Sequence, residues 1–190
     1  MGVITEFRQG AGRLCLDFLR TLRYRGAPDA KEELPTPAAL AAWVRQFQPD
    51  QTAITTPTPS QVVEAQALRE AVHTMIQTAR SATGIAGCPD TARRRVNKTA
   101  AAAVPVPNLT PSGELRWHSE DPTTATLSLI ARDALDLATS PAVTKVRDCA
   151  NPRCGVLFLD NSRPGTRRWC SMDTCGNRAK KTTLRHKNTA

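Results

Sequence analysis

Four of the six cysteines fall within one short stretch and constrain the fold more than any other feature of the sequence. Four residues separate Cys149 from Cys154 and Cys170 from Cys175, and fifteen residues lie between the two pairs. Two close cysteine pairs on either side of a longer loop are typical of zinc bound by four thiolates. The spacing predicts one structural zinc ion, with an iron–sulfur cluster or reactive dithiols as the alternatives.

The residues around the cysteines predict two tight ligand loops, a hairpin and a helix. Residues 156–159 form an apolar run that reads as a strand, and residues 160–166 contain the Asn, Pro and Gly of a turn. Residues 167–170 are expected to return antiparallel to that strand, and residues 178–187 to continue as a helix. This order is similar to a treble-clef or zinc-ribbon module.

Two motifs resemble a known protein family. The residues C-G-N-R at 175–178 spell the name of the CGNR zinc-finger family, and 157–160 (LFLD) and 168–171 (RWCS) are similar to its surroundings. Residues 14–18 (LCLDF) resemble the opening of the ABATE domain, a helical domain that precedes this finger in bacterial stress-induced transcription regulators. The chain departs from that pattern at Arg20, where the family has asparagine.

The resemblance implies an ABATE-like helical domain over residues 1–140 and a CGNR-type zinc finger over residues 141–190. The composition agrees with this, because only 4% of residues are aromatic and the core must consist of small aliphatic side chains in packed helices. The sequence predicts a mainly α fold with a small β-hairpin at 104–117, which we expect to fold over the helices. Apolar periodicity predicts helices at 11–25, 37–48, 59–82, 91–103 and 122–139.

Positive charge is concentrated at the C-terminal end. Residues 149–190 contain nine Lys and Arg against two Asp, a net charge of +7 out of +9 for the whole chain. A basic patch on a small module is typical of a protein that binds a polyanion. For Arg168 and Arg178 the alternative is that they balance the negative charge of the zinc–thiolate site. The predicted nucleic-acid contacts are Arg163, Arg167, Arg168, Arg178, Lys180, Lys181, Arg185 and Lys187.

The pattern favours a transcription regulator that binds DNA rather than RNA. The alternatives are a protein-interaction module with an acidic partner or an RNA-binding protein, in either case with a small-molecule effector bound to the helical domain. Formation of a homodimer is a further possibility that the sequence leaves open. The basic run Arg93–Arg95 predicts a solvated helix face, with an auxiliary phosphate contact as the second interpretation.

Catalysis is not expected of this chain. A zinc ion with four thiolate ligands has no free position for water or substrate. The sequence lacks H-E-x-x-H, G-x-S-x-G and P-loop motifs, and its histidines are isolated from one another. No apolar stretch has the length of a signal peptide or a membrane span, so we expect a cytoplasmic protein with no membrane partner and with reduced thiols.

Overall fold

The computed structural model describes residues 6–48 and 55–181, and this part of the chain is mainly helical. Its helices are α1 (Leu14–Leu19), α2 (Pro37–Phe47), α3 (Pro59–Ala79), α4 (Asp90–Ala100) and α5 (Pro122–Thr139). Its strands are β1 (Leu22–Arg23), β2 (Lys31–Glu32), β3 (Val106–Leu109), β4 (Leu115–His118), β5 (Val146–Asp148) and β6 (Leu157–Leu159). The strands form the antiparallel pairs β1–β2, β3–β4 and β5–β6. Short 3-10 turns lie at Ile85–Gly87 and Pro141–Lys145.

The last described segment, which we call the finger helix, comprises residues 172–181. It begins with a π turn at Met172–Gly176 and continues as an α-helix over 177–181. The prediction of a mainly α fold with small strand pairs and a C-terminal four-cysteine finger is confirmed.

Three of the helices begin at caps that the sequence predicts. The Thr36 hydroxyl accepts from the third amide of α2, and Thr58 forms a capping box with Gln61 at the start of α3. Asp121 accepts from the first amides of α5, and each of these caps is followed by a proline at the first helical position. These local signals set the starts of the helices that form the core.

Asp121 links two helices, so its replacement by alanine is expected to cost about 1–2 kcal/mol of unfolding free energy. Its carboxylate caps α5 and also accepts from Gln61 Nε2 at 2.7 Å. Urea denaturation of Asp121→Ala measures the loss, with Glu120→Ala as the control because Glu120 is exposed beside the cap. An equal loss in both variants would contradict a capping role.

One hydrophobic core runs through the helices and into the finger. Trp43 is fully buried and makes an edge-to-face contact with Phe18, their ring centroids 5.1 Å apart. Phe158 on β6 and the four clustered cysteines belong to the same buried cluster. The Leu159 amide of β6 donates to the Ala11 carbonyl at 2.7 Å. The finger therefore packs directly on the helices instead of hanging from a linker.

The first helix is shorter than its periodicity predicts. The pattern suggests residues 11–25, whereas α1 covers only Leu14–Leu19. Before it, Gly12 has a φ of +94° and lies against Leu159 of the finger. After it, the chain leaves the helix to pair β1 with β2. Both ends are set by tertiary contacts that helical periodicity does not encode.

The finger hairpin uses different strands from those predicted. We expected residues 156–159 to pair with 167–170, but β6 pairs with β5, with Val146 opposite Leu159. The 3-10 turn at Pro141–Lys145 leads directly into β5. The pairing differs because β5 and β6 flank the first cysteine pair, whose tight loop closes the hairpin.

The predicted second hairpin forms, but it does not cover the helices. Strands β3 and β4 pair only with each other. The side chains of Val106, Leu109 and Leu115 are 60–71% exposed, so the expectation that this hairpin folds over the core is wrong. Two strands of four residues present too little apolar surface to pack on a bundle that is already closed.

Candidate metal centre

The four clustered cysteines converge on a single point. Their Sγ atoms all lie within 4.8 Å of one another, and all four residues are buried. The Cys170 sulfur lies 3.6 Å from that of Cys154 and 3.8 Å from that of Cys175. Tetrahedral zinc with Zn–S bonds of about 2.3 Å requires sulfurs about 3.8 Å apart, whereas a disulfide brings them to about 2.0 Å. The donor set fits one structural zinc ion.

The first ligand pair lies at the tip of the β5–β6 hairpin. Cys149 directly follows β5, and its amide donates to the Val156 carbonyl at 2.9 Å, which extends the ladder. Between the two ligands, the Asn151 carbonyl accepts from the Cys154 amide at 2.8 Å, and the Asn151 side chain accepts from the Arg153 amide. This Asx-type turn directs both sulfurs inward.

The second ligand pair brackets the start of the finger helix. Cys175 lies within the opening π turn, where its amide donates to the Ser171 carbonyl at 3.2 Å. Cys170 lies two residues before that turn. The amide dipoles at the beginning of a helix favour nearby negative charge, which suits bound thiolates. A knuckle, a hairpin and a helix that supplies a ligand form a treble-clef arrangement.

Two amide groups donate to the sulfurs. The Cys170 backbone amide lies 3.5 Å from Cys149 Sγ, and the Asn151 side-chain amide lies 3.5 Å from Cys175 Sγ. Such donors stabilise thiolate charge and orient the ligands. Asn151 therefore both shapes the ligand loop and supports a ligand sulfur, and a donor-bearing side chain within a short ligand loop is the sequence signal for the second role.

The thiols also share protons among themselves. Hydrogen bonds from Cys154 and Cys170 hold the pKa of the Cys149 thiol well below its usual range. The same interaction with Cys149 raises the pKa of Cys154 to about 12, and it raises the pKa of Cys170 far above its ordinary value. A zinc ion must displace the protons on these two thiols, so zinc affinity falls as the pH falls.

Most of the predicted nucleic-acid contacts lie on the surface of the finger. Arg185 and Lys187 lie outside the described residues. The exposed members of the predicted set are Arg163, Arg168, Arg178, Lys180 and Lys181.

Arg167 has a structural role that the sequence did not reveal. Its guanidinium donates to the carbonyls of Trp169 and Cys170 and, across the chain, to that of Gly10. The group also lies over the Phe158 ring, 4.5 Å from the centroid. Arg167 thus links the N-terminal segment to the finger, and its nucleic-acid contact stays a prediction.

Sequence reasoning missed two basic residues of the finger. Lys145 and Arg147 line a cavity of about 310 Å³ together with Arg163 and Asp160. Lys145 and Arg147 are exposed, whereas Val146 between them is buried. That alternation is visible in the sequence and is the signal that would have placed both cations on the outer face.

The basic run on α4 is compensated by carboxylates. Arg93 and Arg94 both form ion pairs with Asp90, and Arg95 pairs with Glu64 of α3 at 2.8 Å. These contacts favour the interpretation of a solvated helix face. The Asp90 carboxylate pairs with these arginines, and no side-chain cap hydrogen bond forms at the start of α4.

The fold and the four-thiolate site define a helical protein with a C-terminal treble-clef zinc finger. Residues 12–141 match the ABATE family, described as "Putative stress-induced transcription regulator", and residues 145–188 match the CGNR zinc finger. The chain belongs to the ABATE family and carries the CGNR finger behind that domain. The resemblance indicated by the sequence motifs is confirmed.

A search of curated proteins gave no match. Among the described residues, no helix combines the length and the apolar character that crossing a membrane requires.

Proposed function

We propose that this protein is a zinc-dependent nucleic-acid-binding protein that regulates transcription, with duplex DNA as its preferred ligand. The observation that carries the proposal is a difference between its two parts in how many positively charged side chains form ion pairs with carboxylates. Most arginines of the helical part are paired with carboxylates, whereas most cations on the described part of the finger are exposed and form no ion pair there. A role in the response to stress is proposed from the family description alone.

Ion pairs compensate most arginines of the helical part. Arg13 contacts Asp133 at 2.7 Å, and the buried Arg69 contacts Glu32 at 2.5 Å. Other arginines of this part that pair with carboxylates are Arg20, Arg23, Arg25, Arg80, Arg93, Arg94, Arg95 and Arg116. Their charge is therefore largely cancelled within the protein itself.

The finger presents its cations differently. Arg163, Arg168, Lys180 and Lys181 are exposed, and none of them forms an ion pair with any residue that the structure describes. Arg153 is an exception, because it pairs with Asp29 of the helical part at 2.5 Å. When cations without a carboxylate partner meet phosphates, counterions are released, which supports binding to a polyanion.

The zinc site gives these cations a fixed geometry. Lys180 and Lys181 follow Cys175 by little more than one helical turn, and Cys175 is buried in the metal cluster. The finger helix is thereby held at its base while its basic end faces outward. A helix fits the major groove of duplex DNA and is too wide for the deep, narrow groove of RNA duplexes, which supports the preference for DNA.

Removing three finger cations tests the proposal. The variant Arg168→Ala/Lys180→Ala/Lys181→Ala is expected to bind duplex DNA more weakly for every sequence tested. The slope of log K against log salt concentration should decrease by about 0.9 for each lost phosphate contact, or about 2.7 for all three. Fluorescence anisotropy at several salt concentrations measures the slope, and elemental analysis should find unchanged zinc.

The matched control removes the same charge from the helical part. Arg93→Ala/Arg94→Ala/Arg95→Ala lowers the net charge equally, but it takes away cations that are already paired. We expect this variant to keep the salt slope of the parent protein. If both triple variants changed the slope equally, net charge alone would explain binding and the finger surface would have no special role.

We further propose that the zinc ion is structural and that the chain is not an enzyme. Four protein thiolates complete a tetrahedral shell and leave no position for water or substrate. We also propose a cytoplasmic location, because none of the six cysteines forms a disulfide and a reducing compartment keeps thiols available for zinc.

A protein partner is the second candidate function, and the β3–β4 hairpin favours it. The exposed Leu109 and Leu115 lie opposite each other in the ladder and give one face of this hairpin an apolar surface. Surfaces of this kind mark protein contacts more often than nucleic-acid contacts. A pull-down that survives nuclease treatment and is lost in Leu109→Ser/Leu115→Ser would support this function, and light scattering would show whether the partner is a second copy.

A further inference from the structure

A second charged site lies where the helical part meets the finger. A cavity of about 310 Å³ separates the turn after β1 from the finger helix. We call it the junction cavity, and the lining residues that matter here are Arg8, Tyr24, Asp173, Asn177, Arg178 and Lys181. Its size is at the lower end of small-molecule sites, which measure about 300–1,000 Å³.

The junction cavity brings together cations from the two ends of the chain. Arg8 and Lys181 form no hydrogen bond or ion pair with a side chain in residues 6–48 and 55–181. Asp173 is the acidic residue among those lining the cavity, and it is exposed. The charge of Arg8 also acts on Glu33, but that carboxylate is already bonded to Arg23. Gathering like charges costs free energy unless an anion compensates them.

Tyr24 forms the polar wall of this cavity. Its hydroxyl accepts from Arg23 Nη2 at 3.1 Å and is hydrogen-bonded to Arg178. Tyr24 also has a φ of +54°, a left-handed backbone conformation that is strained for a tyrosine. The hydrogen bond from Arg178 lowers the pKa of the Tyr24 hydroxyl, as expected for a group in a strongly positive environment.

We propose that the junction cavity binds a phosphate group, with Arg8, Arg178 and Lys181 as its ligands. Two guanidinium groups offer the paired donors that fit phosphate oxygens, and an ammonium group adds a point charge. The Tyr24 hydroxyl and the Asn177 side-chain amide supply neutral donors on the same wall.

The phosphate has two sources that the chemistry alone does not separate. A small phosphate ester fits the volume of the cavity, whereas a nucleic-acid backbone would place one of its phosphates there. Binding of a free ester does not depend on the proposed function, but binding of the backbone rests on it. If the ligand is a free phosphate ester, it occupies Arg178 and Lys181. It then competes with DNA for these residues of the finger and acts as an effector.

A different role for these cations is to balance the charge of the zinc–thiolate site, since Cys154 and Cys175 also line the cavity. The sulfurs, however, receive their hydrogen bonds from backbone and asparagine amides. No hydrogen bond joins Arg8 or Lys181 to a sulfur within the described residues. A balancing role predicts zinc loss when these cations are removed, and a phosphate site predicts unchanged zinc.

Calorimetric titration of the zinc-loaded full chain with inorganic phosphate and with ribose 5-phosphate tests the proposal. Ionic strength is held constant with chloride. We expect Arg8→Met and Lys181→Met each to weaken phosphate binding by about tenfold or more, the effect of losing a charge-assisted hydrogen bond. Lys180→Met is the matched control, because Lys180 neighbours Lys181 but does not line the cavity. It should bind phosphate like the parent protein.

A duplex DNA titration of Arg8→Met separates the two sources. Weaker DNA binding identifies the backbone as the source. Unchanged DNA binding, together with displacement of DNA from the parent protein by ribose 5-phosphate, identifies a small ester. The proposal is overturned if the parent protein binds neither phosphate compound while Arg8→Met binds DNA normally. Loss of zinc from Arg8→Met or Lys181→Met also overturns it. The phosphate titration contains no nucleic acid, so failure of the proposed function leaves its outcome unaffected.

Discussion

Replacing Cys175 by serine is expected to abolish zinc binding and to destabilise the helical part along with the finger. A serine hydroxyl is not a thiolate donor, and three cysteines no longer complete the tetrahedral shell. Zinc contributes about 10–16 kcal/mol to the folding of small zinc fingers, whereas a whole domain is stable by about 5–15 kcal/mol. Without that contribution the finger should not remain folded.

The effect reaches the helices because the finger belongs to their core. Phe158 is fully buried, and the Leu159 amide donates to the Ala11 carbonyl just before α1. Arg80, directly after α3, forms an ion pair with Asp148 of β5 at 2.6 Å. When the finger unfolds, these contacts are lost and apolar surface of the helical part is exposed to water.

Elemental analysis and thermal unfolding followed by circular dichroism measure both consequences. We expect Cys175→Ser to contain no zinc and to unfold its helices at a lower temperature than the parent protein. Chelation of zinc from the parent protein should give the same shift by an independent route. Cys88→Ser is the control, because Cys88 lies in a loop outside the metal cluster. Unchanged helix melting after zinc loss would show that the finger is energetically separate.

The metal ligands could be predicted from the sequence because their information is local. The spacing of Cys149, Cys154, Cys170 and Cys175 limits how the chain can turn around one ion, and no other part of the fold is needed to recognise it. The helix starts at Thr36 and Asp121 were readable for the same reason. Each cap is a contact between residues two or three positions apart.

The features that sequence reasoning missed depend on contacts between distant residues. Arg167 looked like a surface cation until the fold placed its guanidinium beside the Gly10 carbonyl. The pairing of β5 with β6 competes with an equally plausible pairing of β6 with residues 167–170, and local pattern cannot choose between them. The junction cavity shows this most clearly, because its lining includes Arg8 and Lys181, which lie far apart in the sequence.

The finger and the helical part also lie close together at Gly155, next to the ligand Cys154. Gly155 has a φ of +62°, and a Cβ atom there would lie 2.7 Å from the backbone oxygen of Arg25. That backbone cannot move away easily, because the Arg25 side chain is held in an ion pair with Glu70 of α3. A side chain at position 155 must therefore strain the ligand loop or push the finger away from the helices.

Gly155→Ala is expected to lose about 2–5 kcal/mol of unfolding free energy. About 1–2 kcal/mol comes from the left-handed backbone, and about 1–3 kcal/mol from forcing atoms into a filled space. Gly165→Ala is a close control, since Gly165 has a φ of +61° but nothing within 4 Å of the added Cβ. Gly165→Ala should lose only the unfolding free energy that comes from the left-handed backbone. The difference in unfolding free energy between the two variants, measured by urea denaturation, therefore gives the cost of the contact with Arg25. Equal losses would mean that the finger yields at this contact without cost.

Because Tyr24 and Cys154 border the same contact, Gly155→Ala should also weaken phosphate binding in the junction cavity, whereas Gly165→Ala should not.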